Sequence, residues 1–408
     1  MRTLYTALLR LALPLILLRL WWRGRREPGY RQGVPERLGH YGIDAPPKLL
    51  WVHAVSVGEA RAAAPLVRAL TQALPDHHVL VTCTTAAGRE TLKQVYGETV
   101  LAAYLPYDLP ESVQSFLEHF RPRLGVLMET EIWPNLLAGC AQNGVPVLLA
   151  NARMSEKSKR GYARWSALTR PAFAALAAVC AQSAADAERL RALGARDAEV
   201  TGNLKFDVHP DAAQVAAGRA WRAALGRPTL LLASTREGEE KLLLDALPAW
   251  DGKLLVVIVP RHPQRFDEVA PLVQSRRTRT EMPGPVDKIH LGDTMGEMAF
   301  YFAACDVAVI GGSFMPLGGQ NLIEALAVGA PVVVGPSMFN FAEATRLAVE
   351  AGAAIQVSAG GSAMRSAAEL IADHARRLRM GEAGKKLCEA HRGATEKHLK
   401  RGLSLIKS

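Results

Sequence analysis

The sequence predicts an α/β protein of two doubly wound, parallel-sheet domains behind a membrane-anchoring first helix. Three observations predict it. Short apolar runs rich in Val, Leu and Ile alternate with amphipathic or alanine-rich runs, the pattern of βαβ units. The alternation pauses at the polar segment Asp207-Val208-His209-Pro210-Asp211 and then restarts. The 408 residues exceed one typical domain and suit two. The expected division is an anchor and basic arm at 1–30, a Rossmann-like domain at 31–207, a second at 208–385, and a closing helical segment at 386–408 that packs back on the first domain.

Leu4 to Trp22 is mostly apolar and long enough to span a bilayer. Arg19 can snorkel from the end of such a helix, but Arg10 lies deeper, where a charge is costly. Thr3, Thr6 and Arg10 share one helical stripe, so a helix lying in the interface also fits. No small-x-small cleavage site follows, so a removed signal peptide does not fit. The positive charge after the run places the body on the cytoplasmic side.

Strands are expected at Leu49–Ser56, Val79–Thr84, Leu101–Tyr107, Leu124–Glu129, Val145–Asn151, Val179–Gln182 and Glu199–Gly202. The second series is Leu230–Ser234, Leu254–Pro260, Ile289–Gly292, Val307–Ile310, Pro331–Val334 and Ala354–Val357. Two such units face each other across a cleft, and ligands of these sheets bind at the carboxyl ends of the strands.

The formal net charge is +10. Arg10, Arg19, Arg23, Arg25, Arg26, Arg31 and Arg37 oppose only Glu27 and Glu36 near the N-terminus. That excess suits an anionic membrane surface or an anionic substrate. Nucleic acid is not expected, because no basic element is interleaved with aromatics and no nucleic-acid motif occurs. Cys83, Cys140, Cys180, Cys305 and Cys388 lack C-x-x-C or Cys/His spacing and read as free thiols.

Polar clusters follow the strands. Gly311-Gly312-Ser313 … Gly318-Gly319-Gln320-Asn321-Leu322-Ile323-Glu324 joins a strand to a helix. Such turns offer amides and a helix dipole to a phosphate, and Glu324 suits ribose hydroxyls. Glycines after a strand also serve as turn punctuation. The spacing is neither G-x-G-x-x-G nor a P-loop. Glu59, after Ser56-Val57-Gly58, fits a general base, with Gly58 permitting a tight turn; it equally fits a carboxylate complementing a helix dipole. Glu129 and Glu131 fit acid–base groups, metal ligands, acceptor-hydroxyl ligands or helix caps, and no D-x-D motif argues for a metal. Arg261, beside His262, suits bidentate contact with an anion, and Lys205 and Arg236 are further cations. Ser234-Thr235 reads as a helix cap whose hydroxyls also suit phosphate.

Several segments together resemble a known family. They are Trp51-Val52-His53-Ala54-Val55-Ser56-Val57-Gly58-Glu59, Met128-Glu129-Thr130-Glu131-Ile132-Trp133-Pro134-Asn135 and Asn151-Ala152-Arg153-Met154-Ser155. Gly202-Asn203-Leu204-Lys205-Phe206-Asp207, Ser234-Thr235-Arg236-Glu237-Gly238-Glu239-Glu240 and the glycine-rich turn complete the set. In order and length they resemble the 3-deoxy-D-manno-octulosonic acid (Kdo) transferases of lipopolysaccharide assembly. The resemblance implies a GT-B fold and an inverting transfer of Kdo from CMP-Kdo to lipid IVA, with no cofactor and no metal. It implies Glu59 as catalytic base. It implies donor contacts at Arg261, His262, Ser313, Gly319, Asn321 and Glu324, with Gly296, Glu297 and Met298 nearby. It implies substrate or transition-state contacts at Ser56, Gly58, Glu129, Lys205, Ser234 and Arg236. It implies attachment by the first helix to the cytoplasmic face of the inner membrane. Gln320 stands where many members carry His. The alternative within the same fold is an enzyme acting on a UDP-sugar, either a transferase or a 2-epimerase.

Overall fold

The computed structural model describes residues 1–25, 28–247, 253–279 and 282–406. Arg26 and Glu27 of the basic arm lie outside the described residues. The chain divides into two units: residues 1–207 with 391–408, and residues 208–390.

In the first unit, α1 (Arg2–Arg23) and the short α2 (Val34–Arg37) precede the sheet. Then follow β1 (Leu49–His53), α3 (Val57–Ala73), β2 (His78–Cys83), α4 (Ala86–Tyr96) and β3 (Leu101–Tyr104). The chain continues through α5 (Pro110–Phe120), β4 (Leu124–Met128), α6 (Pro134–Gln142) and β5 (Val147–Ala152). It ends with α7 (Glu156–Arg164), α8 (Ser166–Ala174), β6 (Ala178–Ala181), α9 (Ala184–Leu193) and β7 (Ala198–Val200). The strands are parallel, in the order β3-β2-β1-β4-β5-β6-β7. The order reverses between β1 and β4, the switch point at which such sheets bind ligands.

Period-two alternation sends side chains to both faces. Leu49 and Trp51 enter one core with Phe116 and Phe120 of α5. Leu50 and Val52 enter the other, with Leu66 and Leu70 of α3. Burial on both faces explains why these strands read as continuous apolar runs. At Gly125 of β4 an added Cβ would come within 2.9 Å of the Trp51 ring, so only glycine admits that ring.

The second unit runs α10 (Ala212–Leu225), β8 (Thr229–Thr235), α11 (Glu239–Leu244), β9 (Leu255–Pro260) and α12 (Phe266–Val269). β10 (Ser275–Arg276), β11 (Ile289–Leu291), α13 (Met298–Ala303), β12 (Val307–Ile310) and α14 (Ile323–Val328) follow. β13 (Val332–Val334), α15 (Ala342–Glu350), β14 (Ala354–Gln356), α16 (Gly360–Ala372) and α17 (His374–Ala390) complete it. The parallel order is β10-β11-β9-β8-β12-β13-β14. Its switch point falls between β8 and β12. β10, a two-residue polar edge strand, has no apolar run to announce it.

The chain then re-enters the first unit as α18 (Ala394–Ile406), which packs on α3, β4 and β6. Asp207 caps its start by accepting from the amides of Gly393 and Thr395. His398, fully buried, accepts from the amide of Asn151 at 2.9 Å.

α1 docks through its polar stripe. The Tyr5 hydroxyl donates to Asp108, Thr6 exchanges hydrogen bonds with Asn135, and Arg10 pairs with Glu111 at 2.9 Å. The charge that a spanning helix would carry at Arg10 is therefore paired with a carboxylate of α5. Leu4, Leu8, Leu11, Leu15, Leu18 and Trp22 form an exposed stripe along the same helix. By length and composition α1 can cross a membrane.

Candidate functional site

In the first unit, candidate residues gather at the carboxyl ends of β1 and β4. Ser56 is the N-cap of α3, its hydroxyl accepting from the Glu59 amide at 3.3 Å. The Glu59 carboxylate turns back, accepting from the Val55 amide and the Ser56 hydroxyl, each at 2.9 Å. This reciprocal cap fixes the carboxylate at the helix start. Burial raises the pKa of Glu59 to about 7, and the nearby charges of Glu129 and Glu131 add to the rise. The two hydrogen bonds pull the other way without cancelling it. A fixed carboxylate that is half ionised near neutral pH can act as a general base.

Gly58 does not serve the tight turn expected of it. It lies inside α3 without a positive φ, and an added Cβ would meet only Ser56 Oγ, at 3.8 Å. Its missing side chain leaves open space beside Glu59.

Glu129 closes β4 with φ +58°, a left-handed conformation that non-glycine residues seldom adopt. Its Oε1 lies 3.1 Å from Lys205 Nζ. Asn151 and Ser234 sit at strand ends with φ +52° and +56°. Backbone strain of this kind concentrates at functional sites. Glu131 accepts from the Trp133 indole at 2.9 Å, and burial raises its pKa. Tyr162 of α7 donates to the Thr130 carbonyl, setting that helix beside the loop. Lys157, Arg160, Gly161 and Arg164 line a groove along α7. His53 is buried against Thr82, and burial lowers its pKa to about 3, which suits a neutral packing group.

In the second unit, the turn after β12 is largely satisfied from within. Fully buried Glu239 accepts from the amides of Gly312 (2.6 Å), Phe314 (3.0 Å) and Arg236 (2.9 Å). Ser337 takes the Gly318 amide, while Gly312 and Gly311 carbonyls take those of Gly319 and Gln320. These amides therefore shape the turn instead of facing a phosphate, contrary to the sequence expectation. Ser313 is fully buried; its hydroxyl donates to the Ile310 carbonyl and accepts from the Gly335 amide. Gly319 has φ +73°, and a Cβ there would collide with Met338 Sδ.

Beside the turn stands a set of partly exposed side chains. Arg261 donates from Nε to Gln320 at 3.2 Å, so Gln320 orients the guanidinium. Asn321 donates to Glu324 at 2.8 Å. Burial raises the Glu324 pKa, and the Asn321 bond and the Arg261 charge oppose that rise. Partial burial and the charges of Arg236, Arg261 and Arg265 hold His262 below the usual imidazole range. Arg265 is held by Glu240 at 2.7 Å. A cluster of arginines suits a phosphate ester. Gly296 has φ +80° and accepts from Gln214 through its carbonyl. Glu297 accepts from Thr294 and pairs with Arg277 at 3.6 Å; Met298 opens α13.

Glu239 was legible in the sequence only as a helix-start carboxylate; nothing there signals that it is buried beneath a loop 73 residues away. Among the described residues, no group of three His, Cys, Asp or Glu could hold a metal ion.

A family model described as "3-Deoxy-D-manno-octulosonic-acid transferase (kdotransferase)" matches residues 32–208. The chain is 46% identical to the 3-deoxy-D-manno-octulosonic acid transferase of Bordetella pertussis, covering 98% of each chain. It is 36% identical to that of Haemophilus influenzae, over 100% of this chain and 98% of the relative. The fold is shared with MurG of Acinetobacter baumannii (TM-score 0.57, 14% identity, 88% of this chain and 100% of that one). It is shared too with UDP-GlcNAc 2-epimerase of Neisseria meningitidis (TM-score 0.53, 17% identity, 88% and 100%). The two parallel sheets and these neighbours are those of a GT-B fold.

Proposed function

This chain belongs to the Kdo transferases, a family of glycosyltransferases, and from that premise we propose that it moves Kdo from CMP-Kdo to lipid IVA with inversion at the anomeric carbon. The carrying observation is Glu59, fixed by its cap and poised near neutrality. An acceptor hydroxyl donates its hydrogen bond to this carboxylate. As the hydroxyl oxygen bonds to the anomeric carbon, Glu59 takes the proton and the bond from that carbon to the CMP phosphate oxygen breaks. CMP departs as a phosphate monoester, and Arg261 and Arg236 stabilise its charge. Asn321 and Glu324 hold the nucleotide, with Glu324 accepting from ribose hydroxyls. A single displacement inverts the centre.

Lys205 holds Glu129 in place through its ion pair, so that the Glu129 charge raises the pKa of Glu59 and the carboxylate contacts the sugar. The exposed apolar stripe of α1 holds the enzyme at the cytoplasmic face of the inner membrane, where an acylated acceptor resides. The test of donor class is thermal stabilisation by CMP against UDP. Stabilisation by CMP at concentrations where UDP has no effect is the expected result. The reverse order would reassign the enzyme to UDP-sugars.

A further inference from the structure

We propose that Arg37 and the first turn of α4 form a subsite for a phosphate monoester carried by the acceptor. The proposal rests on the transfer reading above. Arg37, the last residue of α2, is only 3% exposed. Its Nη1 donates to the Thr84 carbonyl at 2.9 Å, and its guanidinium stacks 3.8 Å from the centroid of the Tyr104 ring. Its Nε and Nη2 are buried with no partner. The adjacent carboxylate, Glu36, is engaged elsewhere. It accepts from Arg89 at 2.6 and 3.2 Å and from the Tyr104 amide at 2.6 Å. Among the described residues no carboxylate pairs with Arg37.

A buried cation without a counter-charge is costly, and stacking on one aromatic ring offsets only part of that cost. Its unmet donors form a planar fork, the geometry that grips a phosphate. The Thr84 carbonyl that holds Nη1 of the same guanidinium lies just before the start of an eleven-residue helix. Thr84 immediately precedes Thr85, the N-cap of α4, whose hydroxyl accepts from the Gly88 amide. The amides of Ala86 and Ala87 belong to the turn that has no intrahelical acceptor, at the positive end of the dipole. Thr85 and Ala86 are partly exposed and Ala87 is exposed, so this end is open to solvent. Arg89, also over Tyr104 at 5.0 Å, is already neutralised by Glu36, which leaves Arg37 as the uncompensated charge of this cluster.

The subsite adjoins the base. Thr85 Oγ1 donates to the Val55 carbonyl at 3.5 Å, and the Val55 amide donates to Glu59 at 2.9 Å. An acceptor held by a phosphate at α4 presents a hydroxyl to Glu59 across a single loop.

The test compares the full chain with Arg37→Gln and Arg37→Lys, using lipid IVA and its phosphatase-treated form as acceptors. Arg37→Gln is expected to raise KM for lipid IVA about tenfold or more, since a charge-assisted bond is lost. It should leave kcat and the KM of the dephosphorylated acceptor near wild type. Arg37→Lys, which keeps the charge without the fork, should fall between. An equal change on both acceptors, in either variant, would mean that Arg37 only supports packing and would overturn the proposal. A second arm is independent of transfer: calorimetric titration with glucosamine 1-phosphate. Binding about tenfold weaker in Arg37→Gln supports the subsite even if no transfer occurs with any acceptor. Equal binding overturns it. Inorganic phosphate binding as tightly as the sugar phosphate would assign the site to free phosphate and overturn its acceptor role.

Discussion

Lys205 Nζ lies 3.1 Å from Glu129 Oε1, and Glu129 is the carboxylate whose charge contributes most, after burial, to raising the pKa of Glu59. The three side chains come from the starts or ends of separate elements, so the first unit couples one ion pair to the acidity of a second carboxylate. The coupling has a sign. Neutralising Glu129 should make Glu59 easier to ionise. Removing Lys205 should leave the Glu129 charge uncompensated and make it harder.

The pH profile checks this directly. With Glu59 as an obligatory ionised base, kcat/KM falls with a slope of one as pH drops through about 7. Glu129→Gln should move that limb to lower pH by about half a unit to one unit, and Lys205→Met should move it upward. Limbs that coincide in all three proteins would uncouple Glu129 from Glu59.

Stability carries the same signature. The folded pKa of Glu59 lies above its ordinary 4.5, so the native state binds the proton more tightly than the unfolded chain. The associated stability is present below pH 4.5 and is lost as pH rises to about 7. Glu59→Gln should therefore unfold at a higher temperature than wild type at pH 8, by an amount on the order of 3 kcal/mol at most. The two should converge near pH 4. Scanning calorimetry at both pH values is the check.

Glu239→Gln addresses the glycine-rich turn. It weakens acceptance of the Gly312, Phe314 and Arg236 amides inside the second unit. A loss of about 1–3 kcal/mol in stability is expected, because a buried donor is left poorly satisfied. Affinity for CMP should fall as the turn loosens. Unchanged CMP binding would detach the turn from the nucleotide site.

Replacing Leu11, Leu15 and Leu18 with Glu removes much of the exposed apolar stripe of α1. Each large apolar side chain contributes about 1.5–3 kcal/mol on burial. Partitioning onto vesicles should thus drop by well over a hundredfold, with the acceptor-free hydrolysis of donor, if any, unaffected. Vesicle co-sedimentation reads the result.

Much of the fold was legible because both sheets are parallel and covered on both faces. β12, Val307–Ile310, has the bounds its apolar run predicts, and β1 keeps its predicted start while ending earlier, because His53 is the last residue to pair. β10 escaped notice because two edge residues, Ser275 and Arg276, carry no periodic signal. The polar clusters were legible as strand-end segments, and within each parallel sheet the topology sets the carboxyl ends of the strands along one edge. The partners were not legible. The pull of Glu129 on Glu59 acts between residues seventy positions apart, and the buried Glu239 looks like any first-turn carboxylate until its loop folds over it. The glycine pattern misled in one respect: its amides are taken by neighbouring groups of the same unit, a property of tertiary contacts that spacing does not encode. Family membership is shown by the relatives, whereas the roles of individual residues are proposals that the experiments above address.

The most direct measurement is mass spectrometry of lipid IVA after incubation with the purified chain and freshly prepared CMP-Kdo, beside Glu59→Gln. An acceptor heavier by Kdo is expected with the unaltered chain, and a rate at least about a hundredfold lower for the variant. Wild-type transfer by a folded Glu59→Gln protein would contradict the assignment of the base. Absence of product from an unaltered chain that binds CMP would contradict the proposed acceptor.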